Sequence, residues 1–73
     1  MEKLLLLQYR TTRKMKYEEF HRLVRQNGWT KLRQQGSHII YQKGDRTYPV
    51  PDHKGKEIGT GLAHKIKREM GLK

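Results

Sequence analysis

The sequence predicts a small α+β domain: a helix, three strands and a second helix in that order, with a three-stranded antiparallel sheet carrying both helices on one face. Three observations predict it. Apolar residues recur at spacings of three and four in two separate stretches, Tyr17, Phe20, Leu23 and Val24, then Leu62, Ile66 and Met70. Between them lie three short runs rich in β-branched and aromatic residues, joined by turns short enough to force antiparallel neighbours. Two amphipathic helices need an apolar surface to cover, and one face of the sheet is the only large candidate.

The first helix is placed over residues 16–27. Glu18 and Glu19 fall in its first turn, where carboxylates complement the positive end of the dipole. Gly28 suits the left-handed residue that follows a helix. The first strand is placed over residues 29–34, with Trp29 as core, and Gln35-Gly36-Ser37 forms a turn. The second strand runs over 38–43, and Gly44-Asp45 is the next turn. The third strand, 46–51, carries Tyr48 and Val50 on one face. Pro49 and Pro51 cannot donate to a ladder, so this strand belongs at an edge. Residues 52–59 read as a polar loop. Thr60 is placed as the cap of the second helix, which Gly71 ends so that Leu72 packs back on its last turn. Helix-strand-strand-strand-helix with one open sheet face is a double-stranded-RNA-binding-like architecture.

A chain of 73 residues has room for one domain. Residues 15–73 form it, and residues 1–14, with the run Leu4–Leu7, read as an N-terminal extension. Chains this short bury only about 60% of the surface they expose when unfolded, so each large apolar residue matters. There is no cysteine, hence neither a disulfide nor a thiolate metal site. The seven carboxylates are scattered, which offers no metal cage, and no cofactor is expected. The longest apolar run, Leu4–Leu7, is too short for a membrane span or a signal-peptide core. A soluble, cytoplasmic protein is expected.

Lys and Arg number 17 against 7 Asp and Glu, a formal net charge of +10. That excess attracts polyanions, with nucleic acid foremost. His38 sits where the Gly36-Ser37 turn enters the strand Ile39-Ile40-Tyr41, on a rigid element yet beside an exposed turn. An imidazole exchanges a proton near neutral pH. RNA carries its own nucleophile, the 2′-hydroxyl, so one imidazole as general acid or base with cationic side chains on the phosphate suffices for cleavage. His38 is the candidate catalytic residue. Gly36 and Ser37 are candidates to support it, Ser37 by orienting its ring, donating to phosphate or only shaping the turn, and His53 is a second acid/base partner, a phosphate contact or a solvated loop residue. Lys31, Arg33, Lys43, Arg46, Lys54 and Lys56 are the candidate RNA contacts. His21 and His64 lie on helices among charged neighbours and read as surface residues. Two other functions fit the same composition: a binding module without catalysis, and a basic module that docks an acidic protein.

The stretch 15–73 resembles the HicA toxins of bacterial toxin–antitoxin pairs. The matching pieces are Asn27-Gly28-Trp29 after a basic helix, Gly36-Ser37-His38 with its apolar strand, Val50-Pro51-Asp52-His53, and Gly59-Thr60 leading to Ile66 and Gly71-Leu72. The resemblance implies a double-stranded-RNA-binding-like fold, cleavage of messenger RNA, growth arrest, and a HicB antitoxin that blocks the active site; the chemistry of the 2′-hydroxyl demands no metal for that cleavage. The essential histidine of the family falls on His38. Residues 1–14 have no counterpart in the family pattern. The toxin alone is expected to be a monomer.

Overall fold

The computed structural model describes residues 15–73; the N-terminal extension and its Leu4–Leu7 run lie outside the described residues. The elements are β1 (Met15–Lys16), α1 (Tyr17–Gln26), β2 (Thr30–Gln35), β3 (His38–Lys43), β4 (Arg46–Pro51), β5 (Glu57–Ile58) and α2 (Thr60–Met70). The expected α-β-β-β-α order is present. β2, β3 and β4 form an antiparallel meander with β3 in the centre.

Each turn follows from its glycine. Gly36 and Gly44 each open a two-residue connection with positive φ, 57° and 62°, and among the described residues no other residue type has positive φ. A positive φ at the first central position alone is the pattern of a type II′ turn, whose twist matches that of the paired strands. These turns set the register: Gln35 opposite His38, and Lys43 opposite Arg46. The β2–β3 register shifts between Lys31 and Arg33, and Leu32 at this bulge is 45% exposed.

One core lies between the helices and one sheet face. α1 gives Tyr17, Phe20 and Val24, β3 gives Ile39 and Tyr41, β4 gives Val50, and α2 gives Ala63, Ile66 and Met70, with Trp29 and Ile58 closing it. Val50 and Tyr48 share a face opposite Ile39 and Tyr41, as their alternation predicts. β4 is an edge strand, as its two prolines require.

Four expectations are corrected. The loop 52–59 contains β5, which pairs with β1 and brings Ile58 into the core; a two-residue strand has no period to read. Gly59, not Thr60, takes the extended cap position of α2, and its carbonyl accepts from the Ala63 amide at 2.9 Å. Leu62 is 38% exposed, and the smaller Ala63 takes the inward position, so the stripe is Ala63, Ile66, Met70. The helix does end as expected: Gly71 is left-handed, and the Leu72 amide donates to the Lys67 carbonyl at 2.9 Å.

The fourth correction is His21, which is buried rather than on the surface. It lies four residues after Tyr17 and three before Val24, on the same inward stripe. Its Nε2 is 2.8 Å from the Pro51 carbonyl, which can only accept, so Nε2 carries a proton. In the neutral ring Nδ1 then accepts from the Tyr41 hydroxyl at 2.6 Å. Burial pushes the Tyr41 phenol above its ordinary value. His21→Leu strands both partners, and a buried unpaired polar group costs about 1–3 kcal/mol. Urea unfolding should show that loss; an unchanged midpoint would contradict the network.

At the other end of the sheet, Arg46 donates to the Glu69 carbonyl at 2.7 Å and lies over the Trp29 ring, while the Tyr48 hydroxyl donates to the Glu69 carboxylate. Burial first, then that hydrogen bond, pushes the Tyr48 phenol up to about 12. An unfolded tyrosine ionises near pH 10, so the folded chain holds this proton longer. The stabilisation is therefore complete below about pH 10 and is lost as pH rises through the folded value. Tyr48→Phe should remove this part of the alkaline stability loss in unfolding experiments at stepped pH. Equal alkaline sensitivity in both proteins would contradict the contact.

Candidate active site

Alternation along β3 turns Ile39 and Tyr41 into the core and puts His38, Ile40 and Gln42 on the opposite face, which neither helix among the described residues covers. The register then places neighbours directly across the sheet. One row is Gln35, His38 and Pro51; the next is Arg33, Ile40 and Pro49. Residues directly opposite in an antiparallel pair have Cβ atoms about 4.5–5.5 Å apart. His38 is exposed, and with Gln35, Ile40 and Pro49 it lines a shallow depression of about 480 Å³.

The turn that presents His38 is braced from the far side. The Asp52 amide donates to the Ser37 carbonyl at 2.7 Å. Asp52 follows Pro51, whose carbonyl holds His21, and Asp52 Oδ1 is 3.8 Å from His21 Nε2. The buried histidine of α1 is thus one residue removed, through Asp52, from the turn before the exposed histidine of β3. Ser37 contributes its backbone carbonyl to this brace. Gly36 contributes a backbone conformation that other residues rarely adopt.

The remaining candidates spread over the molecule. Arg33 lies across from Ile40, in the row next to His38. Lys31 is exposed opposite Tyr41, beyond the bulge. Lys43 and Arg46 sit at the far end of the hairpin, where Lys43 Nζ donates to the Asn27 carbonyl at 2.8 Å and Arg46 reaches Glu69. Both cations thereby sit on carbonyls at the C-terminal ends of α1 and α2. His53 lies edge-on to Tyr17, with ring centroids 5.2 Å apart, on the helix side of the sheet. Lys54 lines a separate groove of about 160 Å³ with Glu18, His21, Arg25, Ile39 and Asp52. The Lys56 carbonyl accepts from the Tyr17 amide at 3.1 Å, and its side chain is exposed. Glu18, beside that groove, accepts from the Gly55 amide at 3.1 Å; its own backbone amide and then that of Gly55 hold its carboxyl below the usual range. Among the described residues no group of three or more His, Cys, Asp or Glu is arranged to hold a metal ion.

Sequence reasoning passed over Gln35, Ile40, Pro49 and the His21–Asp52 brace. The signal for the first three was present: a two-residue turn pairs 35 with 38, and the pleat does the rest. The brace had no sequence signal, because it joins α1 to the end of β4 across 30 residues.

A basic chain with two helices behind a three-stranded sheet, and an exposed histidine on the free face, defines a small domain of double-stranded-RNA-binding-like order. The HicA toxin model, describing toxins of bacterial toxin–antitoxin pairs, matches residues 17–72. Over 59 residues the chain is 37% identical to the probable mRNA interferase HicA of Pseudomonas fluorescens (strain Pf0-1), covering 81% of this chain and 98% of that relative. No solved structure matches. The chain belongs to the HicA toxin family.

Proposed function

We propose that this HicA toxin cleaves messenger RNA with His38 as the general acid or base. The carrying observation is the placement of His38: exposed, at the start of the central strand, on the sheet face that neither helix among the described residues covers. The 2′-hydroxyl of the substrate attacks the adjacent phosphorus and loses its proton, and the bond to the 5′-oxygen breaks as that oxygen gains one. His38 carries one of these two proton transfers; water, which reaches the open face, carries the other. The products are a 2′,3′-cyclic phosphate and a 5′-hydroxyl.

Arg33, in the row next to His38, stabilises the charge on the phosphate. Lys31, Lys54 and Lys56 extend the electrostatic attraction along the RNA, and Lys43 and Arg46 add to the field from the far end of the hairpin. Gly36 and Ser37 hold the turn, and His53 serves as a phosphate contact on the flank rather than beside His38. The cognate antitoxin is a HicB-like protein whose acidic surface covers His38. The toxin alone is a monomer and acts in the cytoplasm, where its substrate is. The test is the chemistry of the ends: RNA cut in EDTA should carry 2′,3′-cyclic phosphates. Cleavage that leaves 3′-hydroxyl ends, or that EDTA abolishes, would overturn the mechanism.

A further inference from the structure

The solvent-facing side of an antiparallel sheet packed on one face is ordinarily polar. Here its centre is not. Ile40 lies at the middle of the central strand, directly opposite Pro49, and is half-buried although neither helix among the described residues covers it. His38 is the next residue along the same face, and Arg33 is directly across from Ile40 on the other side. Gln35 stands opposite His38 and lines the same depression. The neighbouring Gln34 amide donates to the Gly36 carbonyl, whereas the Gln35 amide has no partner among the described residues.

We propose that this depression is a nucleobase subsite: the base adjoining the scissile phosphate lies flat on Ile40 and Pro49, with the Gln35 amide at its edge. This rests on His38 being the cleaving residue. Residues two apart on a strand are separated by about 7 Å, a span comparable to that from the phosphate of a nucleotide to its base. A phosphate at His38 therefore places its base over Ile40. Every base has an apolar face that stacks without regard to sequence. The primary amide of Gln35 offers both a donor and an acceptor, which is what reading a base edge requires. Arg33 on the opposite flank, within a chain of net charge +10, favours the polyanion over an apolar partner as occupant.

The test uses the full chain and a labelled oligoribonucleotide pool with randomised bases, its cleavage ends sequenced, for the wild type, Gln35→Leu and Ile40→Thr. Gln35 is exposed at a turn, and threonine keeps the β-branched shape of Ile40, so both variants suit the fold. The wild type should prefer one base beside the scissile bond, and Gln35→Leu should flatten that preference about tenfold. On one preferred oligonucleotide, Ile40→Thr should raise KM about tenfold with kcat close to wild type. Two variants with wild-type preference and KM would overturn the subsite while leaving His38 as the cleaving residue. So would a wild type that cuts without preference. Variants that cut normally but escape inhibition by the cognate antitoxin would instead assign the face to a protein. A wild type that does not cut would overturn both the subsite and the reading beneath it.

Discussion

Phe20→Ala should take away most of the stability of the domain. Phe20 is completely buried on α1 and belongs to the one core that joins both helices to the sheet. Removing a buried phenyl ring costs about 3–5 kcal/mol, from lost transfer energy and the cavity left behind. A domain of this size has only about 3–9 kcal/mol in total. The midpoint of thermal unfolding should fall by roughly 15 °C or more. Circular dichroism of the variant measures it, and a midpoint within a few degrees of wild type would mean that the helix does not pack as described.

His38→Ala should have the opposite signature: activity lost and fold retained. A positioned acid or base contributes about 10²–10⁴-fold to rate. The side chain is exposed, and surface substitutions away from special features change stability by about 0.5 kcal/mol or less. The variant should therefore melt like the wild type and still bind RNA, because the attraction comes from lysines and arginines that it keeps. A salt-dependent affinity equal to that of the wild type, beside a rate lower by at least about a hundredfold, separates catalysis from binding.

Most of the fold was legible because its signals are local. Both helices show a 3.6 period, both hairpins carry glycine at the first turn position, and Pro49 and Pro51 mark the edge strand. The cap and the inward stripe of α2 were each misplaced by one residue, whereas β5 and His21 were misread because they depend on contacts distant in sequence. Nothing in Glu57-Ile58 announces a strand until Met15-Lys16 lies beside it. His21 has charged neighbours in sequence, yet its partners come from β3 and the end of β4, and they decide its burial. At the candidate site, Gly36-Ser37-His38 could be read directly. Its company could not, because which cations share a face with His38 depends on the pleat, on the bulge at Leu32, and on carbonyls at the helix ends. Lys43 and Arg46 look equivalent to Arg33 in the sequence; in the fold they hold Asn27 and Glu69.

The most direct measurement is single-turnover cleavage of an end-labelled messenger RNA in EDTA, with wild type and His38→Ala side by side at concentrations where both are bound. Cleavage by the wild type, and a rate at least about a hundredfold lower in the variant, is the predicted result. Equal cleavage by the two, or a bound wild type that leaves the RNA intact, would contradict the assignment of His38 as the residue that moves the proton.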